Sequence, residues 1–369
     1  MKGGDVPTLL AFAREQQVDL TVVGPEASLA EGVVDAFRAE GLPIFGHTKA
    51  ATQIESSKEF AKQLMARAGV PTARYEAFSD YNPALQYIHA HGAPVVLKYD
   101  GLAAGKGVVV AMSMPEAEQA LKDMLLDESF GKGRVVIEDY LEGPEFSFMC
   151  FVCGHTIWPM PLAQDHKRAY DGDRGPNTGG MGAYTPLPFI HQADIDFAQR
   201  EILQRTADAM CDNGTPLTGV LYGGLMKTAE GIKVIEFNAR FGDPETEVVL
   251  PLLESDAYDI FYGIACNQSV PPIRWRVEAT VGVVMASKGY PGHYEKGFEI
   301  TIPESITEHV TPMGVKIADG KMYTAGGRVL MVVANGRDIR EARDNAYQMV
   351  EQIHCENLFY RTDIAHQAL

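Results

Sequence analysis

Apolar residues recur along this chain with two periods, and the alternation between them sets the expected architecture. Strand-like runs, several rich in Val, fall at residues 19–23, 42–45, 95–98, 108–110, 134–141, 146–152, 156–160, 219–228, 232–238 and 279–287. Helical periods fall at 8–17, 56–68, 114–126, 191–213, 246–254, 256–267 and 338–354. A further helix, with Ser28 and Glu31 as its capping box, carries Val33, Val34 and Phe37 on one side and stops at Gly41. Strand, helix and strand thus follow one another through residues 19–45, the unit of a parallel sheet. Ligands of such sheets sit beyond the carboxyl ends of strands, where Gly24, Pro25 and Glu26 lie. That tripeptide is a turn or the edge of a site. The chain opens on a helix where such a sheet opens on a strand and a Gly-rich turn, so the front of a domain is expected to be missing.

Further along, residues 71–138 have the pattern of a small domain of two helices on a short sheet, the size of a lid. Residues 164–182 show no period and are dense in charge and glycine, which predicts a long functional loop. From Glu278 a new section begins, with strands at 279–287, 298–302 and 327–334, a turn at 289–292 and a closing helix. It carries few candidate catalytic residues and is expected to support the rest.

Composition narrows the partners. With 369 residues, 46% of them apolar, the chain can bury a large core and is expected to divide into two or three domains. A net charge of -17 disfavours nucleic acid or an anionic membrane as partner, so an anionic substrate needs a local basic pocket. The five cysteines are an odd, scattered set, as in a reduced cytoplasmic protein. Cys150 and Cys153 point to opposite faces of one strand and are taken as core filling. No apolar stretch is long enough to span a bilayer, and the first residues open no signal peptide.

Four stretches carry candidate chemistry. Lys98 ends an apolar strand, and a loop with Gly101, Gly105, Lys106 and Gly107 leads into the next. Such a hairpin cradles polyphosphate with its open amides and two lysines, or is a glycine turn whose lysines are solvated. It is not a Walker loop, since Gly107 follows Lys106. Lys58 stands in the first turn of its helix, an unfavourable place for a cation unless an anion is near. In residues 164–182, Lys167, Arg168 and Arg174 beside bare glycine amides make an anion pocket, and His166 is expected to be a hydrogen-bonding residue of that loop. Finally, Glu236 and Asn238 share one face of a strand while Phe237 faces the core. A carboxylate beside an amide oxygen suits a hard cation that takes its other ligands from phosphates, or else is a polar strand end in solvent. Arg240, Asp243 and Glu245 follow directly, which favours a site.

The order of these parts matches an ATP-grasp site, and the residues resemble one family. Lys98 to Val108, Gln164 to Arg168, Gly175 to Tyr184 and Glu236 to Glu245 are similar to phosphoribosylamine glycine ligase, also called glycinamide ribonucleotide synthetase. The likeness runs from about Asp5 to the C-terminus. It implies an α/β (α+β) ATP-grasp fold: a partial N-terminal parallel-sheet domain at 1–50 that binds phosphoribosylamine, an ATP-grasp domain at 51–277 with its lid at about 71–138, and a mixed α/β C-terminal domain at 278–369. It implies ligation of glycine to 5-phosphoribosylamine through glycyl phosphate in purine synthesis, with ATP and Mg²⁺ or Mn²⁺, by a cytoplasmic monomer. By the same resemblance, Lys58 and Lys98 hold ATP phosphates under the flap of Gly101, Gly105, Lys106 and Gly107. Glu138, Asp139 and Leu141 meet adenine, Glu145 the ribose, and Glu236 and Asn238 the metal. Asn177, Gly179, Gly180 and Met181, with Asp165, Lys167, Arg168, Arg240 and Asp243, handle glycine and the acyl phosphate, while Gly24, Pro25 and Glu26 touch the phosphoribosylamine. The alternatives are a shortened chain that only binds nucleotide, and another ATP-grasp carboxylate–amine ligase.

Overall fold

The computed structural model describes residues 5–101, 107–127, 129, 131 and 133–369. Gly105 and Lys106 of the glycine hairpin therefore lie outside the described residues. The chain forms two compact units, the first of Met1–Pro159, Gln192–Phe241 and Ala257–Pro271, the second of Met160–His191, Gly242–Asp256 and Pro272–Leu369.

In the first unit, Thr21–Val22 pairs in parallel with Ile44–Phe45, the expected strand–helix–strand arrangement. The helical part between them differs from the reading of Ser28 and Glu31 as a capping box. Pro25 is the N-cap of a helix Glu26–Glu31, inside which Ser28 is buried. Gly32, with φ +90°, ends that helix, and Val33–Ala39 follows with Val33, Val34 and Phe37 buried. Proline fixes a helix entry earlier than the serine does, and a left-handed glycine is a stop that apolar spacing does not reveal.

Two antiparallel sheets carry most of this unit. One has the order Tyr75–Phe78, Val135–Asp139, Val95–Tyr99, Val108–Ala111. Helices Tyr81–His91 and Met114–Leu125 supply Ala84, Ile88, Ala117 and Leu121 to a core shared with Leu97, Val135 and Ile137. Because side chains alternate on a strand, packing Leu97 into that core turns Lys98 to the opposite face. The other sheet has the order Gly231–Asn238, Thr218–Thr228, Glu145–Cys153, Thr156–Pro159. Its register sets Glu236 opposite Gly224 and Asn238 opposite Tyr222. The helix expected at 191–213 is interrupted: Gln192–Phe197 and Arg205–Asp212 flank a π-helical stretch, Ala198–Gln204. The wide turn adjusts the phase so that Ala198, Ile202 and Leu203 stay buried along with Ala207 and Met210.

In the second unit a sheet runs Val310–Pro312, Arg328–Gly336, Ala279–Ser287, Gly182–Thr185, Gln164–Asp165, with Leu358–Phe359 also pairing to Ala279–Ser287. Every residue of Ala279–Ser287 is buried. Helix Ile339–Val350 starts where Asp338 accepts the Glu341 N–H. The stretch 164–182, expected as one long loop, contains short strands: Gln164–Asp165 belongs to the sheet, and Arg168–Tyr170 pairs with Arg174–Asn177 as a hairpin. Charge and glycine obscure strands this short, whose pairing is set by tertiary partners. Arg361, fully buried, binds Asp173 at 2.9 Å and Asp363 at 2.7 Å, clasping the C-terminal segment to that hairpin. His166 is a buried hydrogen-bonding residue, as expected, its Nε2 accepting the Ala365 N–H at 2.9 Å.

Candidate functional site

A cavity of about 180 Å³ in the first unit is lined by Lys58, Lys98, Glu236 and Asn238, together with Gly101, Gly107 and Glu138. Lys58 is the first residue of helix Lys58–Ala68, behind the Ser57 cap whose side chain accepts the Phe60 N–H. Its ammonium donates to the Gly101 carbonyl at 3.1 Å, and Asp100 accepts the Glu59 N–H at 3.2 Å. The start of the glycine hairpin is thereby fastened to the head of this helix. Burial pulls the Lys58 pKa down, and Glu236 opposes that shift.

Lys98 donates to the Ile235 carbonyl at 2.8 Å, one residue before Glu236 on the neighbouring sheet. It also stands 3.0 Å from Glu138 Oε1, while Lys62 stands 2.9 Å from Oε2. Glu138 Oε1 is fully buried, with the Lys98 ammonium as its ion-pair partner. All three side chains are almost completely buried.

A second cluster on the cavity wall joins Glu26 and Arg240. The Arg240 Nε lies 3.0 Å from Glu26 Oε2 and 3.4 Å from Glu55 Oε1. Glu55 also accepts the Ala239 N–H at 2.8 Å, and burial, as the largest influence, pushes its pKa up to about 7. Neither Glu55 nor Lys62 emerged from the sequence. Lys62 is detectable in principle, since it follows Lys58 by four residues and so shares its helix face. Glu55, three residues before Lys58 on a different helix, gives no local sign.

The structure does not bring every expected residue here. Asp139 and Leu141 line a different cavity, of about 600 Å³, with Arg74 and Lys233, and Asp139 is held by Arg74 at 2.8 Å and His91 at 2.8 Å. Glu145 pairs opposite Met226 and lines neither cavity. Gly24 is exposed with open space around its Cα, and Pro25 is occupied as a helix cap.

The remaining expected residues belong to the second unit and form a corner of their own. Its centre is Arg328, at the start of a Val-rich strand, which the sequence reading missed. Arg328 donates to the Gly179 carbonyl at 2.7 Å and to Asp243 Oδ2 at 2.8 Å. Gly180, at φ +109°, abuts Pro244, where a Cβ would come within 2.4 Å of the proline ring. The amides of this segment are not bare, which corrects the anion-pocket expectation. Thr178 donates to the Lys167 carbonyl, Gly179 to the Tyr290 hydroxyl, Gly180 to the Thr178 hydroxyl and Met181 to the His166 carbonyl. Small residues here permit close packing; they do not expose N–H groups. Met181, expected at the substrate, is fully buried core. Asn177 and Arg168 face each other across the hairpin, Arg168 donating to the Gly175 carbonyl and Arg174 to that of Asp171. Asp165 sits opposite Ala183 in the sheet.

Comparison with known proteins gives one consistent likeness. Profiles described as the N, ATP-grasp (A) and C domains of phosphoribosylglycinamide synthetase match residues 1–55, 56–246 and 280–367. The sequence is 50% identical over 369 residues to a phosphoribosylamine–glycine ligase of Halalkalibacterium halodurans, spanning 99% of this chain and 86% of that one. A ligase of the same name from Vibrio cholerae is 48% identical over 372 residues, with 99% and 87% covered. The crystal structure of phosphoribosylamine–glycine ligase from Thermotoga maritima superposes with a TM-score of 0.82 at 38% identity, covering 87% of this chain and 82% of that one. A biotin carboxylase from Campylobacter jejuni, at 15% identity and a TM-score of 0.77 over 97% of this chain and 80% of its own, is alike in fold alone.

Proposed function

Because the chain belongs to the phosphoribosylglycinamide synthetase family, an α/β ATP-grasp family, we propose that it ligates glycine to 5-phosphoribosylamine and that the first unit's cavity receives the ATP. The products are glycinamide ribonucleotide, ADP and phosphate. The observation that carries the assignment of the cavity is that Lys98 from one strand and Glu236 and Asn238 from another line one space.

Charge explains why this space suits a triphosphate. Among the described residues its lining has four cations, Lys58, Lys62, Lys98 and Arg240, against four carboxylates, Glu26, Glu55, Glu138 and Glu236. Arg240 is committed to Glu26 and Glu55, while Lys62 and Lys98 share the single carboxylate of Glu138, which leaves positive charge on the lysine side for an incoming anion. The buried Glu138 Oε1, beside the Lys98 ammonium, has a lone pair left to accept from an exocyclic amino group such as that of adenine. Glu236 and Asn238 are hard oxygen donors on one strand face, a fit for Mg²⁺ or Mn²⁺ that takes its other ligands from phosphate and water. When bound, such an ion supplies Lewis-acid stabilisation of charge on the transferring group.

In the reaction, the glycine carboxylate attacks the γ-phosphate to give glycyl phosphate, and the amine of phosphoribosylamine then displaces phosphate. The first step brings two anions together, so the protein's task is neutralisation and positioning. Lys58 and Lys98 serve the phosphates, and Lys58 also keeps the glycine hairpin fastened through Gly101. Asp243, Gly179 and Gly180, held together by Arg328, serve glycine and its acyl phosphate. ADP release measured with glycine alone and then with phosphoribosylamine added tests the whole reading. Stimulation by the amine, with glycinamide ribonucleotide formed one-to-one with ADP, is expected; ADP release indifferent to both co-substrates would end it.

A further inference from the structure

Lys62 sits where the helix pattern calls for a hydrocarbon. It is 2% exposed, and its ammonium lies over the Tyr75 ring, 5.7 Å from the centroid. Burying an ammonium is costly unless it is paired and hydrogen-bonded, and Lys62 is both. Its Nζ donates to Thr72 Oγ1 at 2.8 Å, and that hydroxyl donates onward to the Val234 carbonyl at 2.7 Å. Val234 lies two residues before Glu236 on the same strand. The ammonium is therefore fixed at a defined point, 2.9 Å from Glu138 Oε2.

The consequence concerns Lys98. Glu138 is shared between the two lysines, 2.9 Å from one and 3.0 Å from the other, so the trio carries a net charge of +1. Without Lys62, the same carboxylate would stand alone against Lys98 and cancel its charge where the cavity needs it. We propose that Lys62 is a positioning residue for nucleotide binding: it balances Glu138 so that Lys98 presents a net positive charge to the triphosphate. The inference rests on the reading of the cavity as the ATP site.

The test is direct binding of MgATP, followed by calorimetry without glycine or phosphoribosylamine, so that its result does not depend on ligase turnover. Lys62→Met takes the trio from +1 to 0 and is expected to weaken binding about tenfold, the scale of one unit charge a few ångströms away in a partly screened site. The double variant Lys62→Met/Glu138→Gln returns the trio to +1; it is expected to bind MgATP roughly threefold more tightly than Lys62→Met, while staying weaker than the wild type because the Glu138 acceptor is changed. A structural role predicts the opposite, further loss in the double variant, and that result overturns the proposal, as does wild-type affinity in Lys62→Met. Where Lys62→Met fails to fold, the pair Lys62→Gln and Lys62→Arg replaces it: loss in the first with retention in the second supports charge balance, and equal loss in both refutes it. A wild type that binds no MgATP removes the cavity assignment itself. One that binds MgATP but shows no glycine-dependent turnover removes the ligase reading and leaves the Lys62 comparison to be scored.

Discussion

The cavity of the first unit and the Arg328 corner of the second both hold cations against carboxylates, but they do so in different ways. In the cavity, Lys62, Glu138 and Lys98 are buried and meet side chain to side chain. In the corner, Arg328 is 18% exposed and spends much of its fork on main chain, binding the Gly179 carbonyl as well as Asp243. The first arrangement sets a local charge; the second sets the path of a backbone segment. A buried ion pair broken on one side leaves an uncompensated charge, whereas a partly exposed arginine that is removed leaves groups that water can serve.

That contrast orders the expected losses. Lys98→Ala and Glu236→Ala each remove a group placed against the phosphates or their ion, and each is expected to lower ADP formation by roughly a thousandfold or more. Near-wild-type turnover in either would detach the chemistry from this cavity. Arg328→Met loosens the segment at Gly179 and Gly180 without touching the cavity lining. A fall of about ten- to a hundredfold in kcat/KM for glycine is expected, with KM for ATP unchanged. If both substrates' KM values move together, the corner is not a separate positioning device and the comparison collapses.

How far each region was legible follows from the same contrast. Lys98 was visible because it ends a strand whose Leu97 must face the core, and Glu236 with Asn238 because alternation alone puts them on one face. The Gly24 to Glu26 tripeptide lies at a strand end, as the parallel unit at 21–45 requires, and one member, Glu26, reaches the cavity. Glu55 was invisible because its significance comes from Arg240, far off in the chain, whereas Lys62 shows only its shared helix face with Lys58 and not its pairing with Glu138. Arg328 was read as the start of one more apolar strand. The 164–182 segment misled most. Its glycines suggested open amides, but tertiary contacts from Tyr290, Lys167 and His166 occupy them, and no local pattern encodes such contacts.

Glycine substitutions sharpen the comparison in terms of stability. At Gly180 an added Cβ meets the Pro244 ring at 2.4 Å and the backbone is left-handed, so Gly180→Ala is expected to cost about 3 kcal/mol of unfolding free energy. At Gly24 nothing lies within 4 Å, and Gly24→Ala is expected to stay within about 0.5 kcal/mol of the wild type. Urea midpoints of the two variants, side by side, measure this. Equal values would mean that the close approach of Gly180 to Pro244 relaxes freely and that the corner is not rigid.

The two units also lean opposite ways with pH. In the first, fully buried His47 donates from Nε2 to the Val220 carbonyl at 2.8 Å and accepts the Thr218 N–H at Nδ1, so only the neutral ring fits; burial lowers its pKa from 6.5 to about 4. A depressed folded pKa gives stability that is complete above pH 6.5 and is lost as pH falls toward 4, roughly 2 kcal/mol by pH 5. In the second unit, burial first and Asp243 next raise Glu247 from 4.5 to about 7, and its Oε2 accepts no hydrogen bond. A raised folded pKa works in the other direction: its contribution is complete below pH 4.5 and is lost as pH rises through 7. Glu247→Gln keeps the shape and abolishes the titration, so it is expected to gain about 3 kcal/mol over the wild type at pH 8 and nearly nothing at pH 4.5. Urea unfolding at the two pH values checks it. An equal gain at both would show that the carboxylate is a packing fault and not a titrating group, and the alkaline limb of the second unit would need another source.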